Sequence, residues 1–155
     1  MNESAFERIE SLLKRHGVNF DVLRHAPVFT SEEAAAVRGV PLATGAKALI
    51  CKADSRFVML VIPADRKLDS KQVRQALAIR TLRFASADEL RQLTGVAPGA
   101  VPPFGSLFEL PTYCDSRLAD QERINFNAGD NAISVSMRSA DYLMVERPTL
   151  GCFTA

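Results

Sequence analysis

With 155 residues, the chain has the length of one domain and enough material to bury a sizeable core. Hydrophobic residues make up 47% and charged residues 24%, a globular composition with no apolar run long enough to span a bilayer. A net charge of +1, from 19 basic and 18 acidic residues, excludes tight binding of duplex nucleic acid by charge alone, so any RNA contact should be local, to a single-stranded end or with help from a partner protein.

Ser4-Ala5-Phe6-Glu7 has the form of a capping box, and Phe6, Ile9 and Leu13 follow at helical spacing. With Gly17 as the stop, these signals predict a helix over about residues 4–16. Phe20–Arg24 reads as a short strand ending at His25-Ala26-Pro27. Thr30-Ser31-Glu32-Glu33 offers a second capping box, opening an alanine-rich helix that stops near Gly39. Ala46–Ala53 and Phe57–Ile62, joined by Asp54-Ser55-Arg56, predict a hairpin. Asp69 can cap a helix carrying Val73, Ala76 and Leu77, a strand is expected at Thr81–Phe84, and Ser86-Ala87-Asp88-Glu89 caps a helix ending at Gly95. Strands are further expected at Ser106–Leu110, Thr112–Cys114, Arg123–Phe126 and Ala132–Met137, with Ser139 capping a last short helix. In the strand before it, Ile133, Val135 and Met137 share one face and Ser134, Ser136 and Arg138 the other. Helices interleaved with hairpins indicate one mixed α/β domain over residues 1–155, without the regular alternation of a doubly wound sheet.

Met1-Asn2-Glu3-Ser4 lacks the basic and apolar segments of a secretory signal, so the protein is expected in the cytosol. Cys51, Cys114 and Cys152 are scattered, and the histidines are His16 and His25, so neither a zinc site nor any other metal is expected. The phosphate-cradling loops of nucleotide enzymes and the Gly-x-Ser-x-Gly elbow are absent.

Three features remain. Gly99-Ala100-Val101-Pro102-Pro103-Phe104-Gly105 is either a plain helix-to-strand connection or a stiff apolar pocket wall, since proline fixes φ and glycine permits close approach. Lys47 opens an apolar strand, but Lys52 and Lys67 are equally available on that criterion. Asn125-Phe126-Asn127-Ala128-Gly129-Asp130-Asn131 reads as a hairpin turn or as a nest of N–H groups able to hold an oxyanion.

Taken in order, His25-Ala26-Pro27 with Thr30-Ser31-Glu32-Glu33-Ala34, Gly45-Ala46-Lys47-Ala48-Leu49, Gly99-x-x-x-Pro103-Phe104-Gly105, Asp115 and Phe126-Asn127-Ala128-Gly129 resemble the YbaK/prolyl-tRNA editing domain family. The match runs from about residue 20 to 140. The resemblance implies a mixed, β-barrel-like sheet flanked by helices, and a free-standing hydrolase that deacylates mischarged tRNA without a cofactor. Its expected substrate is tRNA(Pro) carrying alanine, serine, threonine or cysteine, engaged at the acceptor end, with an aminoacyl-tRNA synthetase as a possible partner and neither DNA nor membrane involved. It implies catalytic positions at Lys47, Gly129 and Asp130. Substrate-binding positions fall at His25, Thr30, Gly99, Ala100, Val101, Pro102, Pro103, Phe104, Gly105, Asn127 and Ala128. Asp130 departs from the pattern, standing where relatives often carry a basic residue or histidine. Two alternatives compete: a non-catalytic module binding a tRNA end or a synthetase, and a cysteine hydrolase pairing Cys51 with His25.

Overall fold

The computed structural model describes residues 3–155; Met1 and Asn2, the start of the segment read above for a signal, lie outside the described residues. Helix α1 spans Ala5–Arg15, and its capping box forms in full: Ser4 Oγ accepts from the Glu7 N–H while the Glu7 carboxylate accepts from the Ser4 N–H. Strand β1 (Phe20–Arg24) leads to α2 (Ser31–Arg38), capped by Thr30 and ended by Gly39 in the left-handed region. Glu33 accepts from the Phe29 N–H instead of closing a second reciprocal box on Thr30.

The hairpin of β2 (Ala46–Ala53) and β3 (Arg56–Pro63) turns on Asp54 and Ser55, one residue shorter than expected. Asp54 adopts a φ of 53°, and its carboxylate accepts from the N–H groups of Arg80 and Thr81, which ties the turn to the approach of β4 (Leu82–Phe84). Helices α3 (Ser70–Leu77) and α4 (Ala87–Thr94) flank β4. Ser106–Leu110 is not a strand. Gly105–Phe108 form a 3-10 turn instead, and Glu146 holds it by accepting from the Ser106 N–H and hydroxyl and from the Thr112 hydroxyl. The chain continues through β5 (Thr112–Asp115), the short α5 (Ser116–Ala119), β6 (Arg123–Asn127), β7 (Ile133–Arg138), α6 (Ser139–Glu146) and β8 (Thr149–Gly151). Ser139 is the first helical residue rather than the cap, and its hydroxyl donates to the carbonyls of Gln121 and Glu122.

Among the described residues, eight strands form two sheets. One is antiparallel, in the order β1-β7-β6; the other is mixed, in the order β4-β2-β3-β5-β8, with β3, β5 and β8 parallel. An isolated parallel bridge between Gly45 and Asn125 is where the sheets meet, so they do not close into a barrel. The mixed α/β class is as expected; the barrel-like closure is not, because β2 pairs β4 only from Cys51 onward and its first half keeps a free edge.

The main core lies between the sheets and α1. Phe104 packs edge-to-face on Phe126 and Tyr142, with centroids 5.6 and 5.1 Å away. Burying one such ring contributes roughly 1.5–3 kcal/mol. The Tyr142 hydroxyl donates to the Pro103 carbonyl at 2.6 Å, giving the buried phenol a partner. A second cluster, including Cys51, Leu60 and Phe153, packs on the other face of the mixed sheet. Buried Asp115 ties the C-terminal segment down, accepting from the Phe153 N–H and the Thr154 hydroxyl at 2.9 Å each.

Candidate active site

The free half of β2 faces a cavity of about 660 Å³, closed by α2, the loop before β2, the start of the Gly99 loop and the inner ends of β6. Five consecutive strand residues, Ala46 to Ile50, line it, as happens when a strand presents its edge. The Ala64 N–H donates to the Gly45 carbonyl, which fixes the antiparallel register so that Lys47 and Leu49 bond β3. Ala48 therefore turns its N–H and C=O away from β3, on a stretch that β4 does not reach.

Lys47 is exposed at this edge. Arg38, Arg66 and Lys67 join it around the cavity, against Glu32 and Asp65. A chain that is almost neutral overall thus concentrates cations here. Phe29 and Phe84, 77% and 60% exposed, stand at the same cavity as bare aromatic faces.

The expected site residues other than His25 divide into three groups. Lys47, Thr30, Gly99, Val101 and Asn127 line the cavity. Ala100, Pro102, Pro103, Phe104 and Gly105 are packed into the core behind it. Thus the glycine-proline loop is wall only at Gly99 and Val101. A Cβ on Gly105 would lie 2.3 Å from Thr112 Oγ1 and 2.7 Å from the Leu110 carbonyl oxygen, so glycine there serves packing. Gly129 and Asp130 border a separate hollow with Ser4, Phe6 and Arg24. The turn from Asn127 to Asn131 forms a hairpin and offers no nest at Ala128 and Gly129. Their N–H groups donate to the carbonyls of Ile133 and Ala100, both occupied within the fold. The Asp130 carboxylate accepts from the Ala132 N–H at 2.7 Å.

His25 stands behind the cavity in a network that sequence reasoning missed. Its Nδ1 lies 2.8 Å from the Ala26 carbonyl, so that nitrogen carries the proton, and Nε2 accepts from the Ser134 hydroxyl at 2.8 Å. Ser134 Oγ in turn accepts from Arg38 Nε at 2.8 Å. Arg38 Nη2 donates to Asn127 Oδ1 at 2.8 Å, and Asn127 Nδ2 donates to the Gly99 carbonyl at 2.8 Å. Arg38 forms no ion pair among the described residues, and burial lowers its guanidinium to about 10. An arginine at a helix end draws no notice in a sequence; the signal lay in its neighbours, the serine-bearing face of β7 and the Asn127 of β6.

Cys51 is fully buried in the second cluster, where desolvation pushes its thiol up to about 12 and keeps it protonated at neutral pH. It makes no hydrogen bond to His25 among the described residues, which removes the geometric basis for a cysteine hydrolase. No group of three or more His, Cys, Asp or Glu side chains suited to a metal occurs among the described residues. No helix among them is long and apolar enough to cross a membrane.

A half-apolar cavity at a free strand edge, with cations and two bare aromatic rings around it, has the lining of the class of site that takes an anionic, ring-bearing ligand. Comparison with known proteins gives that class a family. The aminoacyl-tRNA editing domain profile matches residues 25–145, and the chain belongs to that family. It is 34% identical to the multifunctional Ser/Thr-tRNA deacylase ProXp-y of Escherichia coli K12 over 93% of this chain and 89% of that protein. It is 35% identical to a proline–tRNA ligase of Bacillus licheniformis over 69% of this chain but 18% of that enzyme. A crystal structure described as a candidate trans-editing enzyme for prolyl-tRNA synthetase superposes with a TM-score of 0.87, at 22% identity and over 100% of this chain, and shares the fold.

Proposed function

We propose that the chain, residues 1–155 as one unit, is a trans-editing hydrolase that deacylates mischarged aminoacyl-tRNA in the cavity at the free edge of β2. The observation that carries this reading is the cavity itself: Lys47 at the mouth, the Ala48 main chain on the wall and Val101 at the back, in a chain of the editing family. The strand end enters past Lys47, which holds a phosphate or the ribose of the terminal adenosine. Ala48 presents one donor and one acceptor to the peptide-like aminoacyl group. Water attacks the ester, with positioning and fixed donors supplying catalysis in place of a protein nucleophile. The terminal 2′-hydroxyl, or a cysteine substrate's own thiol, assists that attack.

Small amino acids are the proposed substrates, on tRNA(Pro) first, with serine and threonine favoured by the named relative. A synthetase pocket shaped for proline rejects a smaller side chain by only about 1–3 kcal/mol, so a second sieve has work to do. Residues packed behind the wall, Phe104 above all, fix the sieve's size in advance.

A panel of alanyl-, seryl-, threonyl-, cysteinyl- and prolyl-tRNA tests this. The expected result is cleavage of the small mischarged esters and sparing of prolyl-tRNA(Pro). Lys47→Ala should lower kcat/KM at least tenfold while keeping the circular-dichroism spectrum. Intact esters across the whole panel would make the protein a binding module.

A further inference from the structure

Among the described residues, Arg38 is the cavity cation that donates to side chains, whereas Arg66 donates only to the Ala155 carbonyl. Arg38 Nε and Nη2 are each held at 2.8 Å by a neutral acceptor, Ser134 Oγ and Asn127 Oδ1, which come from neighbouring strands. Those acceptors are oriented in turn: Ser134 by donating to His25 Nε2, and Asn127 by donating to the Gly99 carbonyl. The third guanidinium nitrogen, Nη1, makes no hydrogen bond among the described residues. It lies 4.0 Å from where a Gly45 Cβ would stand, beside the strand that lines the cavity. Gly45 is itself constrained to be small, since that Cβ would sit 2.9 Å from Ala64 Cβ.

A half-buried guanidinium without a carboxylate is costly, because desolvation of the charge goes uncompensated. Neutral acceptors orient it and leave its charge intact, the arrangement of a preorganised donor aimed at charge that develops elsewhere. Lys47, on a flexible stem in solvent, suits a hydrated phosphate; Arg38, less exposed and held by Asn127 of β6 and Ser134 of β7, suits a part of the substrate that has left the solvent. For a tRNA entering by its 3′ end, that part is the aminoacyl ester.

We propose that Arg38 Nη1 donates to the carbonyl oxygen of the scissile ester and stabilises the oxyanion formed there, with Ser134, Asn127 and His25 as positioning residues. Water adds to the carbonyl carbon, and the C=O π pair moves to oxygen, which Nη1 holds. Collapse restores the C=O and breaks the bond to the ribose oxygen. That oxygen takes the proton released by the water, leaving a free amino acid and a tRNA with its hydroxyl restored. This inference rests on the editing reading.

Two non-hydrolysable aminoacyl-adenosine probes, both lacking a 5′-phosphate, separate the two ideas: an amide, planar and neutral, and a phosphonate, tetrahedral and anionic at the ester carbon. Calorimetry with wild type, Arg38→Gln and Arg38→Lys should show the phosphonate weakened at least tenfold by Arg38→Gln, with the amide changed less than threefold. In deacylation, Arg38→Gln should lower kcat at least a hundredfold with KM nearly constant, and added guanidinium should partly rescue Arg38→Ala. Ser134→Ala should fall between Arg38→Gln and wild type. Equal affinity of wild type and Arg38→Gln for the phosphonate would overturn the assignment, as would a rise in KM alone, which belongs to a phosphate contact. Failure of wild type to cleave any ester would instead sink the editing reading, while the phosphonate measurement still decides the role of Arg38. Thermal melts establish that each variant is folded.

Discussion

Gly129 shows how a residue in a family motif can be placed by packing rather than chemistry. It adopts a φ of +83°, and a Cβ there would lie 2.4 Å from Ala5 Cβ and 3.2 Å from the Phe6 nitrogen. The turn between β6 and β7 therefore presses on the first turn of α1, and only glycine fits. Gly129→Ala should cost about 1–3 kcal/mol of stability, from strain and overpacking together. The check is a denaturant midpoint shifted down with an unchanged slope, beside unchanged kcat/KM for the folded protein. A loss of kcat at unaltered stability would return Gly129 to the reaction. Asp130 is similar in kind: its carboxylate accepts from the Ala132 N–H within the same turn, and it borders the hollow beside α1.

Among the elements, the caps are the most legible from sequence and the most directly testable. Ser86 opens α4 with a reciprocal box to Glu89, whose carboxylate also takes both ends of the Arg83 guanidinium at 2.7 and 2.9 Å. Those contacts, Arg83 first and then the Ser86 N–H, lower the Glu89 carboxyl from 4.5 to about 2. A depressed carboxyl stabilises the fold above its unfolded value and ceases to do so as pH falls through the folded one. The contribution is thus complete above about pH 4.5 and lost on the way to about pH 2. Glu89→Gln should flatten the acid limb of stability in that window, read from thermal midpoints of both proteins between pH 2 and 5 (the window is set by the shift itself). An acid limb identical to wild type would mean that the pair is not formed. Capping boxes, αL glycines and alternating strands are local rules, which is why α1, α4, the β2–β3 hairpin and β7 were readable. Ser106–Leu110 looked like a strand because its apolar residues suit one. The contact that makes it a 3-10 turn comes from Glu146, 40 residues away, which no local pattern announces. The Arg38 network was hidden for the same reason: its members lie on α2, β6, β7 and two loops, and distance along the chain conceals them.

At the scale of the whole molecule, charge and shape predict a small footprint on RNA. The net charge is +1, yet four cations stand around one cavity against two carboxylates. Each phosphate neutralised on a single strand steepens the salt dependence of binding by about 0.7, so contacts by Lys47, Arg66 and Lys67, with Arg38 reserved for the ester, limit the slope of log K against log salt to about −2. Stacking on Phe84 and Phe29 is worth roughly 1–3 kcal/mol per base and carries no such dependence. The two contributions separate in a titration of deacylated tRNA at several salt concentrations, followed by fluorescence anisotropy. Lys67→Ala should flatten the slope by about 0.7, whereas Phe84→Ala should weaken binding about equally at every salt concentration and leave the slope alone. A wild-type slope of about −6 or steeper would place phosphate contacts well beyond the cavity, along the acceptor stem. Specificity for one tRNA would then be read by the protein surface. A slope within the limit leaves the strand end and its aminoacyl group as what this fold recognises, and assigns any choice among tRNAs to a partner such as a synthetase.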